Sequence, residues 1–271
     1  MAIIISPSLL GYEENLKQRE QHIQQILSTG IKQLHIDIMR DPFIPKRDTF
    51  SEDGIKWLYN NFGNKANFDF HLMVDEPDKL IETIDAIVLP SDRGHTNITV
   101  HREAYRDRSP LARGGLGMYA DKEYDLLVYK TGRDVFDQRL RDDNKLSGDC
   151  VYATLEHLKE AGYQTGLALE PKLSLANITD EMLSKMDMLL LMTVRSGEGK
   201  QPYMNEVTPK IEAAHKRYPA LTIQVDGGIN EATIPIILQA GATNMVIGSY
   251  ITNAENIANR IISIQEQTRK I

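Results

Sequence analysis

The sequence predicts a single α/β domain, a (β/α)8 TIM barrel, and three observations carry that reading. Short apolar, β-branched runs alternate with longer stretches of helical period, which is the pattern of parallel βαβ units. Eight such pairs can be counted along the chain, and its 271 residues match the usual size of one such barrel. The expected strands are Ile3 to Ser6, Gln33 to Met39, Phe68 to Val74, Asn97 to His101, Thr165 to Leu169, Met188 to Val194, Thr222 to Asp226 and Asn244 to Ile247. Helices are expected between them. Glu13 to Leu27 and Asn256 to Gln267 place spaced apolar residues between charged ones, as a helix with one face on a sheet must. The rhythm breaks once, between strands four and five. The excess there, from about Tyr105 to Gly148, reads as an insertion rich in Arg, Asp and Gly, and its run Tyr124 to Tyr129 alternates like half of a hairpin. Its apolar residues suit an ordered flap over the barrel mouth or a contact between subunits of a homo-oligomer, the contact being favoured.

Composition narrows the partners. With 41% hydrophobic and 25% charged residues the chain is an ordinary globular protein. A net charge of -7 argues against nucleic acid or an anionic membrane as the main partner, because both need a dense basic face. The one cysteine, Cys150, cannot form an internal disulfide, so the cytoplasm is the expected compartment. Met1 to Ser8 has no basic segment and reads as a buried first strand rather than a signal peptide. The longest apolar run, around Met186 to Val194, is too short to span a bilayer.

Residue parity within the strands places the chemistry. In a barrel strand, alternate side chains face the helix layer and the interior. In QLHIDIM, Leu34, Ile36 and Ile38 must face the helices, which sends His35, Asp37 and Met39 inward. The third strand repeats the pattern with Asp69, His71 and Met73 inward, and the seventh sends in Gln224 and Asp226. His35, Asp37, His71 and Asp226 then converge on the barrel mouth. Each alone could be a satisfied core histidine or a structural acceptor. Four ligand types on three strands are more simply satisfied by one divalent cation, and imidazole with carboxylate suits Zn, Mn, Fe or Co better than Mg. The last third of the chain offers an anion site. Gly227 and Gly228 after strand seven, and Gly248 and Ser249 after strand eight, are expected to bring backbone N–H groups to a phosphate where helices begin, the usual place for it in a barrel. The loop Gly197, Glu198, Gly199, Lys200 and Gln201 adds more N–H groups and a cation.

These residues resemble the ribulose-phosphate 3-epimerase family. The resemblance spans nearly the whole chain outside the insertion, through ISPSLL at Ile5 to Leu10, LHIDIM at Leu34 to Met39, FHLMV at Phe70 to Val74, ITVHREA at Ile98 to Ala104, GLALEP at Gly166 to Pro171, LLMTV at Leu190 to Val194 and VDGGI at Val225 to Ile229. It implies a metal held by His35, Asp37, His71 and Asp226, with Asp37 and Asp226 as the acid/base pair. It further implies that Ser8 and His71 touch substrate, that the 197–200 loop with Gly227, Gly228, Gly248 and Ser249 meets the phosphate, and that Met39, Met73 and Met192 form an apolar cap. The implied activity is inversion of the carbon beside the ketone of a phosphorylated ketose, ribulose 5-phosphate by expectation. A different ketose phosphate such as allulose 6-phosphate, or a non-catalytic sugar-phosphate-binding paralogue, are the other readings. The chain departs from the family pattern in three places. Arg40 to Lys46 stands where Asp-Gly-His-Phe-Val-Pro-Asn is usual, Glu198 and Lys200 replace an aromatic and a glycine, and Glu170 replaces an asparagine.

Overall fold

The computed structural model describes residues 3–12, 15–105, 144–197 and 199–270, with the backbone alone for 144–150. Its strands are β1 (Ile4–Pro7), β2 (Gln33–Met39), β3 (Asn67–Met73), β4 (Asn97–His101), β5 (Gln164–Leu169), β6 (Met188–Met192), β7 (Thr222–Asp226) and β8 (Asn244–Ile247). All neighbours pair in parallel, in the order β1-β8-β7-β6-β5-β4-β3-β2. A further parallel bridge joins Ser8 to His35, where the Leu9 amide donates to the His35 carbonyl at 3.0 Å, and this closes the sheet into a barrel. The fold expected from the alternating pattern is therefore present, with strand ends shifted by a residue or two. The sixth strand stops at Met192 rather than Val194, because Thr193 turns its amide and its hydroxyl onto the Asp226 carbonyl, each at 2.8 Å.

The helices begin later than the sequence suggests, and caps explain why. Helix α1 spans Leu16–Ser28, after Asn15 accepts a hydrogen bond from the Gln18 amide. The last helix spans Ile257–Thr268 because Asn256, expected as its first residue, is its cap and accepts from the Asn259 amide. A side-chain acceptor satisfies an N–H group that the first turn leaves unpaired, and this fixes the helix start. Of the expected insertion, 106–143 lie outside the described residues, together with the hairpin expected at 124–129. Its end is corrected: a helix already runs over Asn144–Glu160, so the stretch to Gly148 belongs to that helix.

Packing follows the expected parity. Leu34, Ile36, Ile38, Phe70, Leu72, Ile223 and Val225 are fully buried in one large apolar cluster between strands and helices. A second, small cluster of Ala168, Leu190, Met192 and Val194 lies apart from it. Below the mouth the interior is polar and largely hydrogen-bonded, although Asn97 Oδ1 and Gln224 Oε1 are buried without a partner among the described residues. Asp69 accepts from the Asn97 amide group at 2.6 Å and from the Gln224 amide group at 2.7 Å, while Ser6 donates to Asn244 at 2.9 Å. Gly166 makes room for this layer, since a Cβ there would lie 2.2 Å from Thr99 Oγ1.

Candidate active site

At the mouth, β2, β3 and β7 bring together the four residues that parity sends inward. One ligand atom each from His35, Asp37, His71 and Asp226 falls within 4.8 Å of the others. His35 Nε2 lies 3.2 Å and His71 Nδ1 lies 3.0 Å from the same oxygen of Asp37, and His71 Nδ1 is 3.8 Å from Asp226 Oδ2. Ser8 donates to the other oxygen of Asp37 at 2.7 Å. The far ring nitrogen of each histidine is engaged as well: His35 Nδ1 is 2.8 Å from Asp69, and His71 Nε2 is 2.8 Å from His101 Nε2. These donors fit a divalent cation. Two imidazoles and two carboxylates converge, and the outer ring nitrogens are held in the way that orients metal-binding histidines.

The electrostatics of the cluster agree with that fit. Burial works against charge on His35, yet Asp37 and Asp69 on either side hold its pKa well above the ordinary imidazole value. Burial alone would raise Asp37, but the His35 and His71 imidazoles hold it well below the usual carboxylate range. Asp226 goes the other way: burial and the neighbouring charge of Asp37 push it up to about 8. Two like carboxylates this close cannot both ionise cheaply without a positive partner.

A pocket of about 490 Å³ opens over the cluster, with Asp37 and Asp226 in its wall. It is also lined by Ser8, by Met39, Met73 and Met192, and by Gly197, Gly199 and Lys200. Gly227, Gly228, Gly248 and Ser249 line it too, while of the other expected substrate contacts His71 does not reach the pocket wall and Glu198 lies outside the described residues. His35 and His71 are fully buried and stand behind the two carboxylates rather than in the pocket wall. The glycines after β7 are required twice over. Gly227 and Gly228 have φ of 114° and 67°, and a Cβ would lie 2.2 Å from Val194 Cγ2 and 2.3 Å from the Tyr203 amide nitrogen respectively. One expectation is corrected here. VDGGI does not open a helix, because the helix that follows runs only over Ile234–Gln239. Asn230 and Thr233 build a turn in between, with Ala232 N–H donating to Asn230 Oδ1 and Asn230 N–H to Thr233 Oγ1. The helix that Ser249 opens is a single turn, Ser249–Thr252. Backbone N–H groups, not long helix dipoles, are what these loops offer an anion.

A family model described as the ribulose-phosphate 3 epimerase family matches residues 4–112 and 147–252, most of the chain. The chain belongs to this family. The break in the match falls on the insertion after β4. A ribulose-phosphate 3-epimerase of Schizosaccharomyces pombe is 28% identical over 98% of this chain and 94% of that protein. The cytoplasmic isoform of ribulose-phosphate 3-epimerase from Oryza sativa subsp. japonica is 27% identical over 92% of this chain and 87% of that protein. Among solved structures, 3-hexulose-6-phosphate synthase from Salmonella typhimurium superimposes with a TM-score of 0.57 at 15% identity, covering 99% of each chain, which shows the shared barrel.

Against the epimerase family pattern, the departures have visible consequences. Arg40, in place of the family's aspartate, forks into the loop after β2. It donates to the carbonyls of Met39 and Phe50 at 2.7 and 2.9 Å and to that of Thr49, and pairs with Asp48 at 3.1 Å. The loop is thereby folded over the mouth. Phe43 packs on the His101 ring with centroids 5.0 Å apart, and Ile44 fills the space beside Gly197, where a Cβ would come within 2.8 Å of Ile44 Cγ2. Lys200 replaces a family glycine yet keeps a glycine's backbone, with φ of 65°. That conformation costs an L-residue about 1 kcal/mol, and the lysine places a cation on the pocket rim in return. Lys200→Gly is therefore expected to raise thermal stability by up to about 1 kcal/mol while raising KM for a phosphorylated substrate. Melting curves and steady-state kinetics on the one variant check both halves, and a lower KM would remove Lys200 from the binding site.

Proposed function

We propose that the chain is a metal-dependent epimerase that interconverts D-ribulose 5-phosphate and D-xylulose 5-phosphate. The observation that carries this reading is the pair of carboxylates, Asp37 on β2 and Asp226 on β7, exposed to one pocket over one cluster of metal-ligand atoms. His35, Asp37, His71 and Asp226 would hold a divalent cation, which would supply Lewis-acid stabilisation of negative charge beside the two carboxylates. Asp37 and Asp226 do the proton work from the pocket wall: one removes the proton from the carbon beside the ketone, the other returns a proton to its opposite face. Ser8 Oγ, donating to Asp37 Oδ2, fixes that carboxylate for the task. Met39, Met73 and Met192 are buried and line the pocket, keeping water from the reacting carbon. The N–H groups of Gly227, Gly228, Gly248 and Ser249, with Gly197, Gly199 and Lys200, take the phosphate, whose binding energy holds the carbon between the two aspartates. The same reading places the enzyme in the cytoplasm, as the name of the rice relative does for that protein. Among the described residues no helix is long and apolar enough to cross a membrane.

The test is solvent-deuterium exchange into a panel of ketose phosphates and their dephosphorylated forms. Deuterium should enter beside the ketone of ribulose 5-phosphate, and kcat/KM for free ribulose should be at least about 100-fold lower, the worth of about 2.7 kcal/mol of phosphate binding. Exchange into another ketose phosphate alone would reassign the substrate. Equal rates for the free sugar would remove the phosphate site, and no exchange in metal-loaded protein would leave a sugar-phosphate-binding protein without turnover.

A further inference from the structure

The ITVHREA stretch carries three fully buried ionisable groups, His101, Arg102 and Glu103, outside both the ligand cluster and the pocket wall, and the first and third follow His71 in turn along one line of contacts. His101 ends β4 and lies edge to edge with His71, with centroids 4.9 Å apart and planes 22° from parallel. Their Nε2 atoms are 2.8 Å apart, so one must carry a hydrogen and the other a lone pair. The other nitrogen of His101, Nδ1, lies 3.3 Å from Glu103 Oε2 and 3.9 Å from Glu170 Oε1.

We propose that His101 and Glu103 are positioning residues that decide which ring nitrogen of His71 is offered to the metal. Two arrangements of the protons are open to the pair. In the first, His101 carries its hydrogen on Nδ1 and donates to Glu103. Its Nε2 then accepts from His71 Nε2–H, and the His71 Nδ1 lone pair points at Asp37 Oδ1, 3.0 Å away, and Asp226 Oδ2, 3.8 Å away, where the cation belongs. In the second, His71 donates from Nδ1 to Asp37, which closes the cluster to a cation and leaves the His101 Nδ1 lone pair facing two carboxylates. As carboxylates, Glu103 and Glu170 repel that lone pair and penalise the second arrangement, beside the Phe43 ring. His35 is set in the opposite sense, since Asp69 holds its Nδ1 at 2.8 Å and leaves Nε2 for the metal. The barrel thus offers Nε2 from one histidine and Nδ1 from the other. Glu170, where the family has asparagine, adds a second carboxylate to the set.

The inference rests on the metal-dependent reading above, and its test separates the two. In full-length protein labelled with 15N-histidine and loaded with zinc, long-range 1H–15N spectra should show His71 protonated on Nε2, His101 on Nδ1 and His35 on Nδ1. Zinc affinity, measured by competition with a chromophoric chelator, should fall about 10- to 100-fold in His101→Leu, which gives His71 Nε2–H no acceptor. His101→Gln, whose Oε1 can accept that hydrogen, should recover most of the loss. A wild-type protein that takes up no divalent cation overturns the metal reading and this inference with it. Tight zinc binding that is unchanged in His101→Leu, or a hydrogen on His71 Nδ1 in the zinc form, overturns this inference alone. If His101→Leu does not fold, the wild-type spectra still decide.

Discussion

Replacing Asp37 or Asp226 by asparagine should each lower kcat by about 10³-fold, the usual loss when a positioned acid or base is removed. The two variants should nevertheless differ. Asp37 accepts from Ser8 and lies within 3.2 Å of both His35 and His71 nitrogens, so its asparagine should also weaken the metal. Asp226 approaches His71 only at 3.8 Å and its side chain is 17% exposed, so Asp226→Asn should keep more of the cation and lose chiefly the proton transfer. Exchange kinetics separate these losses. With one base gone, a metal-replete variant should still exchange solvent deuterium into one of the two epimers but not convert it into the other. Each aspartate should protect exchange of a different epimer. Wild-type turnover in either metal-replete variant would end the two-base mechanism, and identical exchange of both epimers in both variants would mean that neither aspartate is tied to one face.

The barrel and its metal cluster could be read in the sequence because both follow from one property, the period-two alternation of strand side chains. Once Leu34, Ile36 and Ile38 are assigned to the helix layer, Asp37 has no choice of face, and the same holds for His71 and Asp226. What alternation does not give is the partner across the barrel. Asp69 and Gln224 were visibly inward, yet their mutual hydrogen bond, 155 residues apart in sequence, depends on how β3 and β7 are staggered around the barrel. His101 lies within the ITVHREA motif at an inward position of NITVH, counting from Asn97. Its face is legible in the sequence but its role is not, since a histidine that touches another histidine looks like core from sequence alone. Glu103 lies beyond the strand, on the short 3-10 turn Arg102–Ala104, where alternation no longer applies. The contact of Ile44 with Gly197 joins two loops whose chain paths no local rule fixes. The helix wrongly expected to begin at the glycines failed for a local reason: the side chains of Asn230 and Thr233 compete for the backbone N–H groups that a helix would use.

Removing the metal should abolish activity and reverse the pH dependence of stability, and the charges of the cluster's own residues give the sign. Asp226, raised from 3.8 to about 8 by burial and by Asp37, favours the folded state while it is protonated. That contribution is complete below about pH 4 and is lost as pH rises through 8. His35, raised above 6.5 despite burial because Asp37 and Asp69 flank it, acts in the same direction: its contribution is present below about pH 6.5 and disappears as pH climbs through its higher folded value. Asp37 and Asp69, both lowered by His35 against the pull of burial, contribute above 3.8 and lose that contribution as pH falls through their lower folded values. The chelated protein should therefore be most stable between about pH 4 and 6 and weaken steadily toward pH 9. A bound cation needs Asp226 ionised and His35 neutral, so loading it near neutral pH should release protons, and affinity should rise with pH. At free metal about 1000-fold above its dissociation constant the loaded form gains about 4 kcal/mol, worth roughly 10 °C in Tm for a chain of this length. Melting curves across pH 5 to 9, with and without chelator, should thus diverge on the alkaline side. Calorimetry in buffers of different ionisation enthalpy counts the protons directly. Parallel curves with no proton release would mean that the four residues satisfy one another and hold no cation.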